Sequence, residues 1–253
     1  MRILIRIKNF VKDGDLINKL FIKFKRWKRE TNILSKGNSE QIFKEIYKTN
    51  FWKGDGTRSG PGSSIESTVK IREEIPKIIK KYKIKNILDV PCGDFYWFAK
   101  IINELEIEYL GGDIVSEIIE SNNLKYKKKN IKFIKIDITC NEIPEADLLI
   151  CRDLIFHLSY SDIDKLFYNL KKSNIKYILV SWHDLEKHNL DNENIKTGSF
   201  RFLDLFKNPF SFEKNFEEKI NDPEYPESNI YKVMYLFKLE NFIKNISRYH
   251  SKL

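Results

Sequence analysis

The feature that most constrains this chain is an alternation of short apolar runs with longer amphipathic ones. Runs rich in Ile, Leu, Val and aromatic residues fall at Asn86 to Val90, Ile107 to Gly111, Ile131 to Ile136, Asp147 to Cys151 and Tyr177 to Trp182, separated mostly by stretches of helical periodicity. Each run suits a buried strand. Strand and helix in turn is the pattern of βαβ units, so the reading is an α/β fold built on a doubly wound, mostly parallel sheet with right-handed crossovers. Two further runs, about Phe216 to Ile220 and Tyr231 to Leu239, are placed to close the sheet as an antiparallel hairpin and bring it to seven strands. No internal repeat is evident, and 253 residues suffice for one sizeable core.

The alternation begins only after residue 64, which divides the chain into an N-terminal helical extension with a glycine-rich loop (1–64) and a main domain (65–253). Within residues 1–29, Leu4, Ile7, Val11, Leu16, Leu20, Phe24 and Trp27 recur among basic residues, as in a basic amphipathic helix pair. Such a face can pack on the core, on the partner protomer of a homodimer, or peripherally on a membrane surface. A short helix is expected over Ser39 to Thr49. Phe51 to Ser64 then holds so many glycines, with Trp52 and Arg58 among them, that a loop reaching over a ligand is the favoured reading. Ser64 is expected to cap a helix to about Lys81, kinked or broken at Pro76.

Composition excludes several classes. With 42% hydrophobic and 32% charged residues the chain is neither disordered nor a membrane bundle. No apolar stretch approaches the roughly 20 residues that span a bilayer, and Arg2, Arg6 and Lys8 interrupt the first segment, so neither a signal peptide nor an anchor is read. Cys92, Cys140 and Cys151 are scattered, as in a reducing cytoplasm, and no cluster resembles a metal site. The net charge of +9 suits an anionic partner. It equally suits a compositional bias in which lysine accompanies abundant isoleucine and asparagine.

Ligands of open parallel sheets bind at the carboxyl ends of strands. The first strand exits through Asp89, Val90, Pro91, Cys92, Gly93, Asp94 and Phe95. Gly93 lets the backbone approach a ligand, but a dinucleotide fingerprint needs three glycines, and Asp94 would repel a pyrophosphate. S-adenosylmethionine carries a sulfonium and an ammonium and no phosphate, so Asp89 and Asp94 favour it electrostatically over NAD. About 20 residues further on, Asp113 ends the second run before Ile114, where an acid can accept from both ribose hydroxyls. Asp137 ends the third before Ile138 and Thr139, where an amide and a carboxylate can meet an adenine edge.

These motifs resemble the class I S-adenosylmethionine-dependent methyltransferase superfamily, over about Ile71 to Leu239. Phe51-Trp52, Ser-Gly-Pro-Gly-Ser at 59–63, the turn at 89–95 and Arg-Asp-Leu-Ile-Phe-His-Leu-Ser at 152–159 are similar to a bacterial subgroup whose members often accompany polysaccharide and capsule biosynthesis, including O-methyl phosphoramidate modification. The resemblance implies a Rossmann-like fold, S-adenosylmethionine turned over to S-adenosylhomocysteine, and Trp52, Arg58 and Gly60 closing the cofactor pocket. Pro91 and Cys92 stand where the superfamily usually has a second glycine, so backbone contacts there are expected to differ.

Methyl transfer is an in-line displacement at an already activated carbon, so alignment and exclusion of water dominate. A hydroxyl acceptor must also lose a proton. Asp153 and His157, four apart, would share a helix face as base and orienting residue, with His183 the competing base. Arg152 belongs with the cofactor turn, and Arg152 and Arg201 could hold an acceptor phosphate or acidic sugar. The leading expectation is O-methylation of a small or glycan-linked acceptor. RNA methylation and non-catalytic binding stand as alternatives, although basic residues are dispersed, no RNA-binding module is recognisable and DNA is not expected.

Overall fold

The computed structural model describes residues 30–35, 37–222 and 230–251. The expected helix pair at 1–29, with its membrane or protomer contact, lies outside them. Among the described residues no helix is long and apolar enough to cross a membrane.

Seven strands form one sheet: β1 (Asn86–Asp89), β2 (Glu108–Asp113), β3 (Ile131–Lys135), β4 (Ala146–Cys151), β5 (Ile175–Asp184), β6 (Glu218–Asn221) and β7 (Tyr231–Lys238). Their order is β3-β2-β1-β4-β5-β7-β6. The first five pair in parallel, and β7 lies antiparallel between β5 and β6. The expected doubly wound sheet with its closing hairpin is therefore the observed one. A parallel sheet is covered on both faces, and β4, at its centre, is buried at every position. Successive side chains alternate: Leu148 and Ile150 enter one core, Leu149 and Cys151 the other.

Helices fill the two layers. α1 (Ser39–Lys48) opens with a capping box, in which Gln41 N donates to Asn38 Oδ1 at 3.0 Å and Asn38 N to Gln41 Oε1 at 3.3 Å. Its Ile42 and Ile46 pack with Ile33 beneath Phe51 and Trp52. α2 (Val69–Tyr82) buries Ile71, Ile75, Ile78 and Ile79, the i, i+4, i+7, i+8 stripe of a core-facing helix. Ser64 does not cap it. The Ser64 hydroxyl instead accepts from Ser67 N in a preceding turn, and the helix continues through Pro76. α3 (Ser116–Tyr126) follows β2, α4 (Tyr160–Leu170) follows β4 with Ser159 as its cap, and α5 (Leu239–His250) follows β7.

The segment after β1 departs from the strand-and-helix alternation that the sequence predicts. Gly93 opens no helix; two single 3₁₀ turns, Phe98–Lys100 and Ile102–Glu104, take its place. Bulky aromatics explain the change: Phe95 and Phe98 are buried against Tyr109, with ring centroids 4.9 and 4.8 Å away, and Phe133 closes on Phe95 at 5.1 Å. A side-chain cluster, rather than helix propensity, sets the path of the chain there.

Candidate active site

The carboxyl ends of β1 to β4 surround a cleft enclosing ≈ 1010 Å³ of empty space, its mouth included. β1 contributes Asp89 and the Val90–Gly93 turn, β2 contributes Asp113 with Ile114 and Val115, and β3 leads into Ile136, Asp137, Ile138 and Thr139. Arg152, Asp153 and Leu154 follow β4, and Phe43, Ile46 and Tyr47 of α1 face them. The glycine-rich loop roofs the cleft with Trp52, Arg58, Ser59 and Ser63.

Two contacts hold that roof. The Asp94 carboxylate accepts from Thr57 Oγ1, Arg58 N and Ser59 Oγ at 2.8–3.1 Å. At the loop's far end Arg152 Nη2 donates to the Gly62 carbonyl at 2.7 Å. Gly93 sits at φ 53°, and a Cβ there would meet Ser59 Oγ at 2.4 Å, so the turn needs glycine to seat the loop. Asp94 is thus occupied by the protein's own loop. Gly60 packs behind Trp52 rather than on the cleft wall, and Phe95 points into the aromatic core.

Three carboxylates face the cleft on successive strand ends. Asp113 accepts from Gly93 N at 3.2 Å and Val115 N at 3.0 Å, and burial pushes its pKa up to about 6. Asp89 accepts from Tyr109 Oη at 2.6 Å, and burial raises it to about 7 despite that bond and the nearby Arg152. Asp137 accepts from Thr139 N and Oγ1 at 2.9 and 2.7 Å, which fixes the turn carrying Ile138. Cys92 is buried and its thiol is pushed well up by burial, as suits a space-filling residue.

Past the carboxyl end of β4 lies a largely buried ion cluster, four side chains among the described residues, that sequence reading did not find. Asp153 Oδ2 meets Arg152 Nη1 at 3.0 Å and Lys232 Nζ at 2.9 Å, while Asp222 Oδ2 meets Arg152 Nη2 at 2.9 Å and Lys232 Nζ at 3.3 Å. Lys232 is wholly buried. Burial alone would raise the Asp153 pKa, but the Arg152 and Lys232 charges overcome it and hold the carboxyl well below its usual range. A signal for Lys232 did exist: a period of two from Met234 and Leu236, both in the core, puts it on the same buried face. Asp222, just past β6, carried none.

Asp153 and His157 do not share a helix. Asp153 has φ 57°, and Ile155–His157 is a 3₁₀ turn, because the chain must leave the buried strand end before α4 begins. His157 Nδ1 lies 2.8 Å from the Ser199 carbonyl, so that nitrogen carries the proton and Nε2 the lone pair. Its ring stacks on Trp52, with centroids 4.9 Å apart. Burial lowers its pKa to about 4. His183, wholly buried opposite Lys232 in the β5–β7 ladder, accepts at Nδ1 from Leu203 N at 3.2 Å. Arg201 is buried beyond the Ile155–His157 turn, and neither it nor His157 nor His183 lines the cleft; His157 reaches it only through Trp52, whose ring does. Among the described residues no group of His, Cys, Asp and Glu could hold a metal ion.

The comparisons with solved structures give the class of fold: it is the seven-stranded fold of class I S-adenosylmethionine-dependent methyltransferases. A S-adenosylmethionine-dependent methyltransferase of Leishmania major is similar at a TM-score of 0.55 and 16% identity, covering 79% of this chain and 86% of that one. Magnesium protoporphyrin IX methyltransferase of Synechocystis PCC 6803, with bound S-adenosylhomocysteine, gives 0.52 and 10%, covering 79% and 98%. Human N-acetylserotonin methyltransferase in complex with S-adenosylmethionine gives 0.51 and 12%, covering 85% and 67%. No family profile matches the sequence, and no curated protein matches it.

Proposed function

We propose that this chain is an S-adenosylmethionine-dependent methyltransferase that O-methylates a small or glycan-linked acceptor. The observation that carries the reading is the cleft in which Asp89, Asp113 and Asp137 stand on three successive strand ends. The donor set fits the cofactor. Asp113, held by two backbone amides, is oriented for ribose hydroxyls, and Ile114 and Ile138 offer apolar faces for a flat base. Asp89 suits a cationic amino group, and no glycine-rich phosphate cradle competes. When bound, S-adenosylmethionine supplies a methyl group activated by its sulfonium.

The protein's own part is alignment, exclusion of water by the Trp52 roof, and removal of the acceptor proton. His157, stacked behind the cleft-lining Trp52, is the base in this reading: its proton is fixed on Nδ1, and its low pKa keeps Nε2 unprotonated at neutral pH. Asp153 is neutralised by Arg152 and Lys232, and the Nδ1 proton of His157 goes to the Ser199 carbonyl, so Asp153 is neither the base nor its orienting partner in this reading. In neutral His183 the Leu203 amide occupies the lone pair at Nδ1 and the proton sits on Nε2, so no basic nitrogen remains. A polysaccharide-linked acceptor is supported by the motifs at 51–52, 59–63, 89–95 and 152–159, and a cytoplasmic setting by three unpaired cysteines.

Calorimetric titration of the full chain with S-adenosylhomocysteine tests the reading. Binding is expected, with Asp113→Ala weakening it about tenfold or more, a loss of about 1.4 kcal/mol or more. Absence of binding to the wild type, or an undiminished affinity in Asp113→Ala, refutes the assignment.

A further inference from the structure

The protein buries two arginines beside the Ile155–His157 turn, and they differ in one respect. Arg152 is matched by two carboxylates and a carbonyl. Arg201, 2% exposed, forms no ion pair among the described residues. Its Nη2 makes a long 3.4 Å bond to the Ile155 carbonyl, while Nε and Nη1 are buried without a hydrogen-bond partner. The guanidinium carbon lies 5.1 Å from the centroid of the Tyr160 ring, and the Tyr160 hydroxyl is likewise buried without a partner. Glu193 contributes only through its charge, from an exposed position. A buried guanidinium compensated only by a ring face, one long carbonyl contact and a distant carboxylate is costly for a fold to hold, and buried charges in proteins are usually paired.

We propose that Arg201 and Tyr160 form a binding site for an oxyanion, a phosphate or carboxylate group, separate from the cofactor cleft. Three unpartnered donor atoms, two on a guanidinium and one on the phenol whose ring it covers, suit such a group. The site is built into the same framework as the proposed base. Gly198 N donates to the His157 carbonyl, Ser199 O receives His157 Nδ1, and Arg201 N donates to the Phe156 carbonyl. Tyr160 is half-buried, so its ring brings the site toward the surface. The anion comes either free from solution or as the charged group of the acceptor; the second source deepens the proposed function and rests on it.

The test is thermal unfolding and calorimetry of the full chain with inorganic phosphate, exchanged for chloride at constant ionic strength. Phosphate is expected to raise the wild-type melting temperature in the millimolar range. Arg201→Met is expected to lose that response while being at least as stable as wild type without phosphate, because it removes an unmatched charge. Tyr160→Phe, which deletes one donor, is expected to keep the fold and lose about five- to tenfold in phosphate affinity, as for about 1–1.4 kcal/mol. A monosaccharide phosphate that binds at least tenfold tighter than inorganic phosphate identifies the acceptor as the source; equal or weaker binding identifies the free anion. The proposal is overturned by a wild type indifferent to phosphate, or by an unchanged response in Tyr160→Phe and Arg201→Met. S-adenosylhomocysteine binding, measured in parallel, is expected to survive both substitutions, so failure of the anion site and failure of the methyltransferase reading remain distinguishable.

Discussion

Replacing Lys232 by methionine perturbs the ion cluster at its most buried member. In the wild type two cations face two carboxylates, and the Lys232 ammonium touches both acids, at 2.9 and 3.3 Å. Methionine matches the stem in volume but removes one of the two cations that Asp153 and Asp222 share among the described residues. Breaking a buried pair in this way costs about 3–5 kcal/mol. For a chain of this size each kcal/mol corresponds to about 2–4 °C, so the melting temperature should fall by about 6–20 °C. The pH dependence gives a sharper signature. In the wild type the depressed pKa of Asp153 contributes stability that is present above the unfolded carboxylate value, near pH 4, and is lost as pH falls through the lower folded value. In Lys232→Met the Lys232 share of that depression is removed while Arg152 remains, and the pKa moves upward. Acidification therefore costs the variant less than the wild type, and the gap between them narrows below about pH 5. Circular-dichroism melts and urea titrations from pH 7.5 to 4 measure both effects. A variant within about 1 kcal/mol of wild type at neutral pH refutes the reasoning, as does a gap that widens on acidification.

Other consequences are more local. Asp94→Ala removes the acceptor for Thr57, Arg58 and Ser59; limited proteolysis should then cut within residues 53–60 faster than in wild type, and protection equal to wild type would show that Asp94 is not the clasp. Asp89 and Asp113, raised to about 7 and about 6 by burial, are partly protonated near pH 6, and a cationic cofactor favours their charged forms. S-adenosylmethionine binding should therefore release protons at pH 6 and weaken as pH falls from 7.5 to 5.5; calorimetry in buffers of different ionisation enthalpy reads the release, and proton uptake would contradict it. With an identified hydroxyl acceptor, His157→Asn should lower kcat by about 100-fold or more with little change in cofactor affinity, and unaltered turnover would remove His157 as the base.

The strands were legible because each is a self-contained run whose apolar content exceeds anything nearby, and the order of strand-end acids located the cleft. The turn after β1 was not, because Phe95, Trp97 and Phe98 look like ordinary helix-face residues until Tyr109 and Phe133 of neighbouring strands are placed beside them. The same holds for Asp153 and His157. Their spacing of four is a helical signal only if the chain enters a helix, and it instead turns through positive φ at Asp153. The Arg152–Lys232 cluster joins residues 80 positions apart, beyond the reach of any local pattern.

Two of the acids that drew attention in the sequence turn out to be fully engaged by the protein itself. Asp94 receives hydrogen bonds from three loop residues, and Asp153 sits between two cations. A carboxylate so engaged has little capacity left for a ligand. Asp89 differs: only Tyr109 donates to it among the described residues, burial raises its pKa to about 7, and it borders the cleft. It therefore gains more than the others when a positive group arrives, since its burial outweighs the Tyr109 bond and the nearby Arg152 and disfavours its ionised form. In the proposed function, charge recognition therefore belongs to Asp89 at the strand rather than to the half-buried Asp94 at the far end of the turn, whose part is to hold down the roof. That division follows from which acids the fold has already satisfied, a property that residue type and spacing do not carry.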